Sequence, residues 1–509
     1  MSLESALTIA TGGLANINSQ LALISHNVAN ADTPGYIAEI GNQQALSSDG
    51  IGLGVQTGPA TRSLDIDLQQ QVFQQDTVVS GLQTQQTALQ AIDAVQGTPG
   101  QGSDLASLLG DLQNQFSTLQ TDPSSQTQQS AVVSAAGTLT QGINTMSQAY
   151  ATQTQTAQNN IVGEVGTINS TLTTIGNLSS QIVSLQAGGQ STADLETQRD
   201  AAVQSLAQIV DIKTLVQPSG DMVITTAGGL ALPIHGAPDP LSTSAAYLQP
   251  ADYYPGGGVP AITLDGADVT GQLTGGALGA NITLRDTTLP TYQAELDEFS
   301  QNLASQFSAQ GLTLFSDPTG AVPAGGGVPV QSGYVGFANV IQVNPAVQAD
   351  PSLVRDGTNA VAGSPTGAAA FTPNPPGGPA GFTTLIDDVL TYTLGADAQA
   401  GVAQPASNTT GLGPNGNLNA PYAAPTTLGA LAATLVASQA QDSANVSSQL
   451  STQQAVQTSL TNSLASGSGV NMDTEMSTMI QLQNAYGANA KILTAVQSMW
   501  TQLLGSVQS

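Results

Sequence analysis

The chain has 509 residues, of which 40% are hydrophobic, 4% aromatic and 8% charged; it has no cysteine and a formal net charge of −28. Without cysteine there are no disulfides, thiolate metal sites or cysteine nucleophiles. Six scattered cations (Arg62, Arg199, Lys213, Arg285, Arg355 and Lys491) cannot form the basic stripe that holds nucleic-acid phosphates or anionic lipid.

Residues 1–30 read as one helix, with Gly12-Gly13 as a weak point. Leu3, Leu7, Ala10, Leu14, Ile17, Leu21, Ile24 and Val28 follow one another by steps of four and three, the spacing of a coiled-coil seam. Asp32-Thr33-Pro34-Gly35-Tyr36 then reads as a sharp turn, with Pro34 presetting one central dihedral and Gly35 accepting the positive one of a type II turn. Residues 37–67 mix β-prone pieces with glycines.

Helical spacing returns over about 68–96 (Leu68, Val72, Val79, Leu82, Leu89, Ile92, Val95) and stops at Thr98-Pro99-Gly100. A short helix follows through Leu105, Leu109, Leu112, Phe116 and Leu119, and a very long polar one over 126–186. At about 1.5 Å per residue the latter reaches roughly 90 Å, which indicates a rod of packed helices. A further helix covers about 192–210. Residues 212–280 and 311–427 are rich in Gly, Pro, Thr and Val and read as β-domains with long loops. A helix at about 288–309 lies between them.

Helix resumes at 428–465, and Ser466-Gly467-Ser468-Gly469 hinges it to a final helix that Asn471 or Asp473 can cap. On that last helix Leu482, Tyr486, Leu493, Val496, Trp500, Leu503 and Val507 repeat the N-terminal rhythm, broken only by Asn489. Neither terminal stripe has a local partner, and lone amphipathic helices are marginal in water. Both ends therefore read as segments that order against other chains. The competing reading pairs the two helices inside one monomer.

The expected fold is multidomain α plus β: terminal coiled-coil helices and a long helical-bundle rod with inserted β-rich domains. Residues 1–36 with 467–509 form the coiled-coil segment. Residues 37–211, with 281–310 and 428–466, form the rod. Residues 212–280 and 311–427 are the β-rich insertions.

Catalytic chemistry is sparse. His26 and His235 are the only histidines, and neither has a metal-ligand neighbour at useful spacing. There is no GxSxG elbow or Walker loop. Gly256-Gly257-Gly258 follows a proline and precedes Val259-Pro260 rather than a helix start, so it reads as a loop. Glu295, Asp297 and Glu298 read as a solvated helix face, and Asp65 and Asp67 likewise. No catalytic residue, cofactor site or metal site is expected. No apolar run approaches the ~20 residues of a membrane span. The first thirty residues lack the basic start and apolar block of a cleavable signal peptide.

Ser25-His26-Asn27-Val28-Ala29-Asn30-Ala31-Asp32-Thr33-Pro34-Gly35-Tyr36 resembles the end of the first helix in the axial proteins of the bacterial flagellum, the family of rod, hook and hook-associated proteins. It departs from their pattern at His26, where the family has Asn, and at Val28, where it has Ile. Gly52-Leu53-Gly54-Val55 with Arg62-Ser63-Leu64-Asp65 is similar to a second family segment. Ser468 to Met476 and Gln483-Asn484-Ala485-Tyr486 resemble the hook-associated branch at the C-terminus. Asp194-Leu195-Glu196-Thr197-Gln198-Arg199-Asp200, Leu284-Arg285-Asp286 with Leu289-Pro290, and total length favour that branch over rod and hook proteins.

The resemblance implies a non-enzymatic structural protein, exported through the flagellar type III channel to the extracellular flagellum. It would join hook to filament by polymerising through its terminal helices. Implied partners are further copies of the chain, the hook protein, a second hook–filament junction protein and an export chaperone. Leu3, Leu7, Leu14, Ile17, Leu21, Ile24, Val28, Leu482, Tyr486, Leu493, Val496, Trp500 and Leu503 would make the assembly interface. Asn30, Thr33, Pro34, Gly35 and Tyr36 would form the family turn. The hook protein is the alternative within the family. A secreted adhesin with a β-rich head, and a hydrolase built on Glu295 and Asp297, are alternatives outside it.

Overall fold

A computed structural model describes residues 3–33, 35–48, 51–97, 100 and 102–507. Pro34, Thr98 and Pro99 lie outside them.

The first helix, α1, spans Leu3–Ala29. Two strands, β1 (Glu39–Ile40) and β4 (Thr61–Arg62), pair antiparallel at the base of a hairpin, β2 (Gln43–Ser48) with β3 (Ile51–Thr57). Then come α2 (Ile66–Gln96), α3 (Leu105–Thr121), α4 (Gln126–Ala187) and α5 (Ala193–Ile209). Side-chain caps start three of them: Asp65 accepts from Leu68 N, Asp104 from Ala106 N and Ser107 N, and Ser125 from Gln128 N. At 62 residues α4 is about 93 Å long.

Two cores lie along α4. One joins Val132, Leu139, Ile143 and Tyr150 to α3 and to Leu296, Phe299 and Phe307 of α7 (Leu289–Ala309). The other joins Ile161, Ile168 and Ile175 to α5 and two three-stranded sheets. The first of these sheets is β5 (Ile212–Val216), β6 (Met222–Thr226) and β7 (Ala231–Leu232). The second is β8 (Leu241–Ser242), β9 (Thr263–Leu264) and β10 (Ala267–Asp268). Several buried polar groups on α4 are satisfied by neutral partners. Asn169 exchanges hydrogen bonds with the Leu241 backbone, and Tyr150 donates to Gln439. A surface so poor in charge leaves amides and hydroxyls to do the polar fastening.

The segment 276–309 runs as α6 (Gly276–Thr283), a π-helical turn at Leu284–Thr288, then α7 with Pro290 in its first turn. The wider turn places Arg285 fully inside. Its guanidinium clamps Asp286 at 2.6 and 2.9 Å and donates to Gln158 Oε1 at 2.7 Å.

Residues 311–427 depart from the expected β-domain. Their strands are two or three residues long, interspersed with short helices. Phe315, Phe337, Val347, Leu385 and Val389 feed the same core as α3, α4 and α7, so the segment is part of the rod body. Gly and Pro signalled irregular chain correctly, but strand propensity overstated how much sheet forms.

Near the C-terminus α8 (Leu428–Ser468) runs against α2. Gln75, Gln86 and Gln96 donate to Gln453, Ser447 and the Val436 carbonyl. The break at 469–471 falls where the glycines of 466–469 indicated a hinge, and Asn471 caps α9 (Met472–Val507) by accepting from Thr474 N at 3.1 Å.

Candidate functional site

The terminal helices pair with each other. The expectation that neither stripe has an intramolecular partner is corrected: α1 lies between α9 and the β2–β3 hairpin. The two irregularities of the stripes lie opposite one another. A Cβ on Gly13 would meet Asn489 at 3.4 Å, and one on Gly12 would lie 3.7 Å from the Val55 carbonyl. Both distances are ordinary van der Waals contacts, so a side chain at either position could be accommodated, and Asn489 is the side chain facing Gly13.

The pairing leaves much apolar surface uncovered. Ala10, Ile17 and Ile24 are buried, as is Val496; Leu3, Leu14, Leu21, Val28, Leu482 and Leu493 are half-covered. Leu7 of α1 remains 38% exposed; on α9 Tyr486 is 42% exposed, Trp500 48% and Leu503 53%, with Met472, Met476, Ile480, Ile492, Met499 and Leu504 alongside. One thin seam is filled and both flanks of α9 stay open. Isolated exposed apolar residues are ordinary; nine large ones on one helix are not.

The family turn forms at the end of α1. Tyr36 N donates to the Thr33 carbonyl at 3.1 Å, Gly35 has φ +76°, and Asn30 Nδ2 returns to the His26 carbonyl. Asn27, which the sequence pattern did not single out, is the buried centre of the joint. Its Oδ1 accepts from Glu39 N (3.0 Å) and the Tyr36 hydroxyl (2.9 Å). Its Nδ2 donates to the Glu39 carbonyl (3.0 Å) and Glu475 Oε1 (2.9 Å). One amide thus fastens α1, the turn, β1 and the first turn of α9.

Two motif segments far apart in sequence meet beside it. Arg62 donates to Glu196 at 2.8 Å and to Asp200 at 2.6 Å, with its guanidinium almost wholly covered. Arg199 points the other way, into the rod, where it donates to the Gly220 carbonyl at 2.7 Å and reaches Ser179. Ala38 N donates to the Ser468 carbonyl and Asp65 N to Ser468 Oγ, closing the joint against the end of α8. Burial, and then the Asp194 carboxylate opposite, push the Glu39 carboxyl above its ordinary range. Burial does the same to the Tyr36 hydroxyl.

The acids of α7 are a second correction. Glu295, Asp297 and Glu298 are buried, not solvated. Asp297 accepts from Gly336 N (2.7 Å), Ala338 N (2.8 Å) and Gln293 (3.0 Å), and Glu298 from the Tyr334 hydroxyl (2.6 Å) and Asn408 N (2.8 Å). They pin residues 334–338 and 408 to the helix. Burial raises Asp297 to about 7 and the Glu295 carboxyl to about 8. A periodic pattern cannot reveal this, because the covering loops lie about 40 and 110 residues downstream. His235 pairs with Asp221 at 3.0 Å on the surface, and Asp65 is the α2 cap. Among the described residues no helix is long and apolar enough to cross a membrane.

Comparison with known proteins places the joint and the rod. Residues 7–36 match the family described as flagella basal body rod protein, and 462–505 the flagellar basal body rod FlgEFG protein C-terminal family. Both ends of the joint thus resemble those of flagellar axial proteins. Residues 89–321 match the flagellar hook-associated protein FlgK helical domain. The flagellar hook-associated protein 1 of Salmonella typhimurium is 26% identical over 332 residues, 60% of this chain and 56% of the relative. That of Bacillus subtilis is 25% identical over 239 residues, 44% of this chain and 46% of the relative. The flagellar hook junction protein FlgK from Burkholderia pseudomallei has a similar solved structure, with 26% identity and a TM-score of 0.41 over 50% of this chain and 46% of that one. The chain is thus similar to the hook-associated protein 1 family of structural flagellar proteins, and spans about half the length of the curated relatives it matches.

Proposed function

We propose that this chain is a structural subunit of the junction between flagellar hook and filament. Its copies associate through the uncovered flanks of α1 and α9. Leu3, Leu7, Leu14, Ile17, Leu21, Ile24 and Val28, with Leu482, Tyr486, Leu493, Val496, Trp500 and Leu503, form the α1–α9 seam and the surface that receives a neighbour. Asn30, Thr33, Gly35 and Tyr36 set the angle at which that pair leaves the rod. The observation that supports this most is the unequal burial: a rod with completed cores carries a terminal limb whose large apolar side chains are half uncovered.

The subunit leaves the cell through the flagellar export channel with a dedicated chaperone. It then meets the hook protein on one side and a second junction protein on the other, outside the cell. The flanks of α9 bear few charges (Lys491 is its one cation), so register rests on apolar knobs and neutral hydrogen bonds. Tyr486 and Trp500 are the large anchors.

Deleting the gene tests the proposal. Cells should keep intact hooks and shed filament protein into the medium, and Trp500→Ala or Leu21→Asp should fail to restore filaments although the rod body folds. Attached filaments in the deletion strain, or full rescue by both variants, would refute it.

A further inference from the structure

At the joint, three side chains from three elements converge: His26 at the end of α1, Glu39 in β1 and Asp194 at the start of α5. One donor atom from each lies within 4.8 Å of the others. Sequence spacing hid this, since Glu39 is 13 residues and Asp194 168 residues from His26.

The hydrogen-bond network fixes which imidazole nitrogen is available. Asn27 Nδ2 already donates to the Glu39 carbonyl and to Glu475, so Asn27 Oδ1 is the accepting side of that amide. The Tyr36 hydroxyl therefore gives its proton to Asn27 Oδ1. Its oxygen is left to accept from His26 Nδ1–H, 3.1 Å away. In neutral His26 the lone pair is then on Nε2, which faces Asp194 Oδ1 at 3.9 Å, beyond hydrogen-bond reach. The Nε2 lone pair and the two carboxyl groups, Glu39 and Asp194 close enough to share a proton, converge on one region, where a cation in place of that proton would hold all three. Two ligands about 2.0–2.2 Å from one ion can stand at this spacing. The surroundings are acidic: Glu475, Glu196 and Asp200 lie around the cluster, and Arg62 already has two carboxylate partners.

We propose that His26 Nε2, Glu39 and Asp194 bind a divalent transition-metal ion of the zinc type, which ties the terminal helix pair to the rod. One imidazole and two carboxylates favour zinc-like ions over Mg²⁺ or Ca²⁺, which prefer oxygen alone. Asp194 is largely exposed, so the ion keeps an open, watered side. Tyr36 and Asn27 act as positioning residues by holding the ring and its tautomer, as outer-shell partners of metal-bound imidazoles do.

The test is Zn²⁺ titration of the full-length, chelator-treated protein by calorimetry. One ion per chain is expected. Tyr36→Phe should weaken binding about tenfold, and His26→Asn and Asp194→Asn about a hundredfold, while His235→Asn leaves it unchanged. Asp194 is a surface residue, so its variant keeps the test valid if the joint tolerates no change at His26. Failure of the wild-type protein to take up Zn²⁺ at about 1 mM, equal binding by His26→Asn or Asp194→Asn, or loss on His235→Asn instead would overturn the proposal.

Discussion

The rod body and the terminal limb are built from the same amino acids to opposite ends. Along α4 the apolar stripe is covered for its whole length, and Val132, Leu139, Ile143, Ile161, Ile168 and Ile175 are fully enclosed. Along α1 and α9 a stripe of equal regularity is covered on one seam only. Both stripes look alike in sequence, so periodicity tells that a face is apolar but not what covers it. The difference lies in how many elements converge. Helices α3, α5, α7 and α8 and residues 311–427 surround the rod axis, whereas α1 has one helix and one hairpin.

The sharpest contrast comes from large-to-small substitutions in the two regions. Phe307, between Phe116 and Phe315 in the rod core, should cost about 3–5 kcal/mol when changed to Ala, read from the urea midpoint of the rod transition. An effect below 1 kcal/mol would mean that the rod core is as loose as the limb.

The buried acids of α7 give the rod a strong pH signature. Glu295 holds its proton to about pH 8 in the fold, against 4.5 in the free chain. The folded state therefore binds the extra proton between those limits, and stability falls as pH rises through that window. Asp297, raised to about 7, shares that slope, so Glu295→Gln should flatten it only in part, chiefly toward pH 8, and raise stability there by about 1–3 kcal/mol. Denaturant midpoints at pH 5 and pH 8 measure both. An unchanged slope would place the titration elsewhere.

Asn27→Ala should loosen the joint by about 1–3 kcal/mol, because it strands Glu39 N and the Glu475 carboxylate. Limited proteolysis near residues 30–40 should quicken while the rod midpoint stays put. The smallest expected effect on the free subunit is that of Trp500→Ala, within about 0.5 kcal/mol for a half-exposed side chain, although the same change blocks assembly.

Much of the helical frame was legible in the sequence: α2 to α5, α7 and α8 begin and end within a few residues of where spacing, caps and prolines put them. The turn was legible too, through Gly35 and the proximity of Thr33 to Tyr36. The joint was not. Asn27, Glu39, Arg62, Asp194 and Glu475 meet from five separate elements, and nothing local in any of them records its partner. Residues 311–427 were misread for a related reason. Val- and Thr-rich runs favour extended chain, but whether strands lengthen into sheets depends on partners that those runs do not encode. Glu295, Asp297 and Glu298 looked solvated because charge usually signals solvent, and only the loops that fold over them show otherwise.

Hydrogen exchange on the free subunit and on isolated flagellar junctions tests the central claim most directly. Amides of α1 and α9 should exchange far faster than those of α4 in the free chain, and should become as protected as α4 once copies are assembled. Terminal helices already as slow as α4 in the free subunit, and unchanged on assembly, would contradict it.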